Sequence, residues 1–199
     1  MTSPVRRLFG GLSIITALGA AGAVALPVSA AQADLVNLGA CNTSALSQPF
    51  LPWADPASYE LSPGGDFESA SWTLTGGAQI VDGSEPYAAT GTLGSSSLSL
   101  PAGSSAQSPL TCVDAAYPTV RMFIGGTGLV AVSVVDGPLD IPAGVAVGSG
   151  DWEPTSLMLT EAPLLGLLSS GTAQVSLQVT ALAGNPRIDD VFVDPWNRG

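Results

Sequence analysis

The fold is limited most by a succession of short β-forming runs, most of which are followed directly by glycine, proline or aspartate. The runs are rich in branched and aromatic residues, and helical periodicity is nearly absent. Predicted strands cover residues 59–61, 71–75, 78–81, 97–100, 106–113, 119–124, 129–135, 139–147, 151–160, 173–181 and 187–193. Short strands joined by such turns predict an all-β fold, a two-sheet antiparallel β-sandwich. A jelly roll is favoured over an immunoglobulin sandwich because Cys41 precedes the first clear strand.

Two of these runs carry more specific signals. Residues 173–181 alternate apolar and polar side chains, which predicts a half-buried strand with one wet face. The glycine-rich stretch Gly125-Gly126-Thr127-Gly128 separates runs 119–124 and 129–135, and it predicts a hairpin. Pro109 makes run 106–113 an edge strand or a bulged strand.

The last predicted strand holds two neighbouring carboxylates among apolar residues. Because side chains alternate along a strand, Ile188, Asp190 and Phe192 are expected on one face. Asp189, Val191 and Val193 are expected on the other face. Whichever face meets the core carries an aspartate, and a buried carboxylate is costly unless it is paired or binds a metal.

The N-terminus predicts a secretory signal. Arg6 and Arg7 precede an uncharged apolar run over 10–26, and small residues follow it. Cleavage is expected after Ala33, with Ala30 as the next choice, and a retained membrane anchor is the less favoured alternative. We therefore divide the chain into a signal peptide (1–33), an irregular lead-in (34–57) and a β-sandwich domain (58–199), and we expect a secreted protein, free or on the cell surface.

Charge excludes one class of partner. After cleavage three arginines remain against 16 acidic residues, a net charge of −13, and the chain has no histidine or lysine. Such a surface repels phosphate backbones, so no nucleic-acid partner is expected, and no membrane contact after cleavage. We expect a monomer.

The two cysteines predict one disulfide. In an exported chain, Cys41 and Cys112 most simply pair with each other. The chain-entropy model gives such a loop closure about 4 kcal/mol of stability.

Two short motifs carry a resemblance to a known family. Gly64-Gly65-Asp66-Phe67-Glu68, then Ser71-Trp72-Thr73-Leu74, and the closing Ile188-Asp189-Asp190-Val191-Phe192-Val193 resemble the galactose-binding-like jelly roll of secreted carbohydrate-binding modules. The resemblance covers residues 59–194. The chain is also similar to small secreted actinobacterial proteins of unassigned function.

That resemblance implies a structural Ca²⁺ held by Glu68 and Asp189, with Asp190 as substitute. Calcium takes about six to eight oxygen ligands, and Asp66 adds charge beside them. The alternative is that Asp189 and Asp190 form a solvated strand end and pair with Arg121 or Arg187.

The types of side chain present favour a binding function over a catalytic one. A nucleophilic serine or cysteine normally needs a nearby base, usually histidine, and the chain has none, so we expect no enzyme. A carboxylate hydrolase remains a third interpretation, through Asp151 with Glu153 or Asp189 with Asp190.

The expected role is a secreted, non-catalytic binding domain with a glycan as the ligand class. Three loop aromatics, Trp53, Tyr87 and Tyr117, are the candidate ligand contacts. The alternative is a structural or adhesive envelope protein that binds another surface protein. A concave face with exposed aromatics favours a glycan, and a flat apolar patch favours a protein.

Overall fold

The computed structural model describes residues 45–114, 119–159 and 172–194. Within these ranges the chain forms a 3-10 turn, Leu51–Trp53, and eleven strands. The strands are β1 Glu60–Leu61, β2 Thr73–Thr75, β3 Gln79–Asp82, β4 Ser96–Ser99, β5 Ser105–Gln107, β6 Thr111–Asp114, β7 Thr119–Asp136, β8 Leu139–Pro154, β9 Met158–Leu159, β10 Thr172–Gly184 and β11 Arg187–Asp194. In the described ranges no helix has the length and apolarity to cross a membrane.

The strands form one hydrogen-bonded network in which every described pair is antiparallel. Their order is β2-β5-β10-β7-β11-β4-β3, with β1 on β11, β6 on β10, and β8 and β9 on β7. The first half of β7 pairs with β11, and its second half pairs with β10. In this order β11, β4 and β3 lie on one side of β7, and β10, β5 and β2 lie on the other. The predicted all-β antiparallel sandwich of jelly-roll type is confirmed.

Strand β7 corrects the predicted hairpin. The stretch Gly125-Gly126-Thr127-Gly128 lies inside this strand of 18 residues, which would be about 60 Å long if straight. Gly126 has φ +66°, and the pairing with β8 shifts register beside it. A Cβ on Gly128 would stand 2.4 Å from the Ala183 carbonyl oxygen. These glycines therefore bend one strand around the core and allow close backbone contact, instead of ending it.

Both halves of β7 face the same core. Val120, Met122 and Ile124 from the first half, and Val130, Val132 and Val134 from the second, are buried in one cluster. Strand β10 contributes Val175, Leu177, Val179 and Ala181 to it, while Gln174, Gln178 and Thr180 alternate with them and stay partly exposed. The predicted alternation of this strand is confirmed except at Ser176, which is buried. Pro109 lies between β5 and β6, where a missing amide ends the pairing.

A second, aromatic cluster consists of Phe50, Tyr59, Phe123 and Phe192. The segment 45–59 reaches it through a bridge between Ser47 and Tyr59. Asp55 of this segment pairs with Arg121 at 2.6 Å, and the Arg121 guanidinium lies 4.2 Å from the centroid of the Phe50 ring. Burial acts to raise the pKa of Asp55, but hydrogen bonds from Tyr59, Ala57 and Arg121 outweigh it and hold that pKa below its usual value. The lead-in is thus fastened to the sheet by a partly buried ion pair.

Candidate functional site

A bulge in β11 places the two neighbouring aspartates. Asp189 lies opposite Phe123 and Phe192 opposite Arg121, so Asp190 and Val191 together span the single residue Met122. Asp190 has φ +47°, a left-handed conformation that aspartate tolerates better than most residues. The extra residue reverses the alternation.

The two-face prediction for this strand is therefore wrong. Ile188, Val191 and Val193 share the main core, and Phe192 belongs to the aromatic cluster. Asp189 and Asp190 are both buried, at 0% and 4% exposure.

The glycine-rich motif at Gly64-Gly65 packs directly on this bulge. The Val191 amide donates to the Gly65 carbonyl at 3.0 Å, and the Ser62 amide donates to the Val191 carbonyl at 2.9 Å. A Cβ on Gly65 would stand 2.7 Å from the Val191 carbonyl oxygen, so only glycine fits this approach. Strand β1 also pairs with β11, Glu60 opposite Val193. The two motifs that carry the resemblance are neighbours in space.

Three carboxylates gather beneath the bulge: Glu85, Asp189 and Asp190, here called the acid cluster. Asp189 accepts hydrogen bonds from Ser84 Oγ at 2.7 Å and from the Glu85 and Asp190 amides, each at 2.9 Å. Glu85 is 1% exposed. Its carboxylate accepts from the Tyr87 amide and, at 2.9 Å, from the Ala89 amide. Glu85 was not singled out from the sequence, because nothing in the loop around it marks it as buried.

The acid cluster has no cation partner among the described residues. Arg121 pairs with Asp55 instead. Arg187 donates to the Asp82 and Gly83 carbonyls and to Ser97, and its guanidinium lies 5.7 Å from the centroid of the Trp152 ring. The alternative in which Asp189 and Asp190 pair with Arg121 or Arg187 is therefore wrong.

Burial without a cation changes the protonation of both aspartates. Burial raises the pKa of Asp189 to about 6. Burial, and then the charges of Asp189 and Glu85, raise the pKa of Asp190 to about 8. Both shifts favour the protonated form of the carboxyl, more strongly for Asp190 than for Asp189.

Glu68 lies beside the acid cluster and not within it. It is exposed, and its carboxylate accepts from the Ser95 amide and hydroxyl, each at 2.6 Å, and from the Ser96 amide at 2.8 Å. Gly94 separates it from Ser84: a Cβ there would stand 2.9 Å from Glu68 Oε1 and 2.8 Å from Ser84 Oγ. Asp66 is half-buried and raises the pKa of Asp190 by its charge. In the described part of the chain no three acidic, cysteine or histidine side chains converge as ligands of one ion.

A groove beside the aromatic cluster contains two of the three predicted ligand contacts. It encloses about 370 Å³ and is lined by Gln48, Pro49, Pro52, Trp53, Tyr87, Ala88, Ala89 and Gly91. The Trp53 and Tyr87 rings meet edge to face, with centroids 4.9 Å apart and planes at 81°. The Tyr87 ring is 44% exposed, and its hydroxyl donates to the Trp152 carbonyl at 2.6 Å. We call this surface the aromatic groove.

Both groove aromatics are followed by an alanine in the left-handed region. Ala54 has φ +60° and Ala88 has φ +53°. An L-residue there costs about 1–2 kcal/mol relative to a right-handed conformation. Such strain persists only where surrounding contacts impose it, and it concentrates at functional sites.

Other predicted residues lie elsewhere. Tyr117 and Cys41 are outside the described residues, as is the signal peptide, so the third ligand contact, the disulfide and the cleavage site stay predictions. Cys112 lies on β6, opposite Gln174 of β10. Asp151 and Glu153 are exposed two positions apart on β8, and Glu153 accepts from Ser149 Oγ at 2.8 Å.

The sheet surface where β8 and β10 pair with β7 carries a second depression. It encloses about 490 Å³ and is lined by Ala131, Val132, Ser133, Asp140, Pro142, Gly144, Val145, Gln178, Thr180 and Leu182. Val145 and Leu182 are exposed aliphatic side chains on its margin. Among the described residues, no aromatic side chain lines it. The aromatic groove and this aliphatic depression are thus different kinds of surface.

Comparison with known proteins gives partial likenesses only. No family model matches the chain, and no curated protein matches it. A family 22 carbohydrate-binding module of Clostridium thermocellum Xyn10B is similar, with 16% identity over 69% of this chain and 91% of that one and a TM-score of 0.44. The family 6 module of LamC from Zobellia galactanivorans shares 8% identity over 62% and 98% of the two chains, with a TM-score of 0.40.

A third similar structure is the enzymatically active domain of tailspike protein 4 of bacteriophage CBA120. It shares 16% identity over 65% of this chain, with a TM-score of 0.42, and the chain spans 20% of its length.

Proposed function

We propose that this chain is a secreted, non-catalytic domain that binds a glycan in the aromatic groove. The observation that carries the proposal is the Trp53–Tyr87 pair, presented at the surface in a groove of about 370 Å³. Sugar rings have apolar faces that pack on aromatic side chains, and the Gln48 side chain at the groove margin adds an amide for a hydroxyl group. Charge supports a neutral ligand, because Arg121 and Arg187 are already engaged elsewhere.

The test is calorimetric titration with a panel of soluble neutral polysaccharides. Trp53→Ala and Tyr87→Ala are each expected to weaken binding of any ligand found by at least tenfold, about 1.4 kcal/mol. Leu182→Ala, in the aliphatic depression, is the matched control and is expected to bind as the unmodified protein does. A glycan that binds both groove variants with unchanged affinity would remove the proposed site.

A structural Ca²⁺ near the acid cluster is part of this proposal. Buried Asp189 and Asp190 without a cation, half-buried Asp66 and nearby Glu68 supply the hard oxygen donors that calcium prefers. Glu85 is less suited, because both its oxygens already accept backbone amides. Since no three of these side chains converge in the described residues, ion binding requires the carboxylates to rearrange.

Thermal unfolding with calcium and with excess chelator tests the metal. A ligand that binds only the folded state raises the midpoint. We expect a calcium-dependent rise that Asp189→Ala and Glu68→Ala reduce and that Glu153→Ala leaves intact. An equal midpoint in calcium and chelator would exclude a structural ion, without affecting the groove.

A protein partner is the second candidate, favoured by the exposed Val145 and Leu182 beside the aliphatic depression. In that case the domain is a structural or adhesive envelope protein. Binding to an identified envelope protein is then expected to be lost in Val145→Asp and Leu182→Asp and kept in Tyr87→Ala. The reverse pattern assigns binding to the aromatic groove.

A further inference from the structure

The loop that carries Tyr87 is held from beneath by the acid cluster. It lies in the connection between β3 and β4, and its side chains and amides bond to residues far away in sequence. Asp189 of β11 accepts from Ser84 Oγ and from the Glu85 amide. Glu85 in turn accepts from the Tyr87 and Ala89 amides. A continuous set of contacts therefore joins the β11 bulge to the aromatic groove.

Glu85 is an unusual residue to bury here. It is 1% exposed, and the described residues offer it no cation. A buried carboxylate without a cation is tolerated when hydrogen-bond donors stabilise its negative charge. Its donors are the two loop amides of Tyr87 and Ala89.

The two amides that Glu85 accepts flank the strained residue. Ala88, with φ +53°, lies between Tyr87 and Ala89. A free loop would leave the left-handed region at this alanine. The carboxylate therefore fixes the backbone conformation in which the Tyr87 ring meets Trp53 and its hydroxyl reaches the Trp152 carbonyl.

We propose that Glu85 is the positioning residue of the aromatic groove: its buried carboxylate holds the Tyr87 loop in the strained conformation that presents the ring to a ligand. The ligand-binding part rests on the proposed function, whereas the ordering of the loop does not. The consequence is that the groove is rigid before any ligand arrives, which reduces the entropy lost on binding.

Amide hydrogen exchange of the unmodified, ligand-free protein, read residue by residue by NMR, is the first measurement. The Tyr87 and Ala89 amides are expected to exchange at least tenfold more slowly than the amide of Leu93, an exposed residue of the same connection. Exchange of all three at similar rates would overturn the proposal.

The second measurement compares Glu85→Gln with Glu153→Gln. Both remove one negative charge from a hydrogen-bonded glutamate, but Glu153 is exposed on β8 and bonds to Ser149. Only Glu85→Gln is expected to speed exchange at Tyr87 and Ala89, at least tenfold, while core amides of β10 keep their protection. Unchanged loop exchange in Glu85→Gln would overturn the proposal.

A rescue variant separates positioning from general destabilisation. Glycine adopts the left-handed conformation without strain, so Ala88→Gly in the Glu85→Gln background is expected to restore part of the loop protection. If a glycan binds, its affinity should fall in the variants whose loop amides exchange faster and recover where protection is restored. An affinity that stays the same when the loop opens would limit Glu85 to a structural role. If the loop responds as expected but the unmodified protein binds no glycan, positioning stands and the proposed function fails.

Discussion

Asp190 combines three features that rarely coincide in one residue: a left-handed backbone, near-complete burial and two acidic neighbours. The left-handed backbone accompanies the bulge, at which Asp190 and Val191 together lie opposite Met122. Because burial, Asp189 and Glu85 raise its pKa to about 8, the folded protein binds a proton that the unfolded chain releases near pH 4.

Stability should therefore fall as pH rises through the pKa of Asp190. A carboxyl whose pKa is raised by folding contributes stability fully below its unfolded pKa and loses it on passing its folded pKa, here about 8. In chelator, we expect a lower free energy of unfolding at pH 9 than at pH 6, measured by urea titration. Asp190→Asn tolerates the same backbone without the charge and should flatten this dependence. If the free energy of unfolding of Asp190→Asn fell with pH as steeply as that of the unmodified protein, the assignment of this pH dependence to Asp190 would be contradicted.

Arg121 stabilises the lead-in through several contacts at once. Its guanidinium pairs with Asp55 at 2.6 Å, donates twice to the Thr155 carbonyl and lies over Phe50. Removing one partner of a buried pair leaves the other charge uncompensated, which costs about 3–5 kcal/mol.

We expect Arg121→Met to lose stability within that range in urea unfolding, and Arg121→Lys to recover little of it. Lysine cannot reproduce the planar fork that reaches Thr155 and Asp55 together. A lysine variant as stable as the unmodified protein would show that charge alone is sufficient.

At the scale of elements, side-chain alternation predicted β10 well and failed for β7 and β11. The apolar side chains from Val175 to Ala181 are all buried, and the polar ones between them are partly exposed except Ser176, because one face meets the core and most of the other is wet. In the sequence, the glycines at 125–128 resemble a turn signal. They are needed because Ala183 and Trp152 approach the backbone closely, and this approach depends on tertiary packing that the local sequence does not show. The bulge at Asp190 was equally hidden, because a left-handed aspartate has no sequence signature.

The close contact at Gly128 gives a direct check of this interpretation of β7. Gly128→Ala places a Cβ 2.4 Å from the Ala183 carbonyl oxygen, in backbone that cannot give way easily. Such overpacking costs about 1–3 kcal/mol, and we expect a loss of that size in thermal or urea unfolding. Ser133→Ala, a half-buried position of the same strand, should change stability by less than about 0.5 kcal/mol. A neutral Gly128→Ala would favour an open turn there.

For the candidate site, the sequence predicted more of the residues than of their arrangement. Trp53 and Tyr87 do meet in one groove, and Asp189 and Asp190 lie close together. Glu68 lies next to them and is engaged with Ser95 and Ser96. The buried partner of the aspartates is Glu85, and its role depends on loop geometry that a one-dimensional pattern does not contain.

Over the whole molecule, the excess of acidic residues should make stability depend on salt. The chain has a net charge of −11, and self-repulsion destabilises a compact state. Raising sodium chloride from about 0.02 M to 0.5 M screens these interactions, and we expect the unfolding midpoint to rise. Potassium chloride is the matched control for specific ion effects. A midpoint that falls with both salts would indicate that attractive pairs, such as Arg121 with Asp55, outweigh the repulsion.

The position of β11 also determines when the chain can acquire its structure. This strand lies between β7 and β4 in the sheet and pairs with β1 as well. Three earlier strands therefore cannot complete their pairing until β11 is present. Pairings between segments so distant in sequence, such as Glu60 with Val193, form slowly because loop closure must come first. During synthesis, the pairing of β4 and of the first half of β7 with β11 therefore cannot form until residues 187–194 have emerged. Folding of this domain is expected to be an all-or-none event whose timing is governed by the appearance of β11.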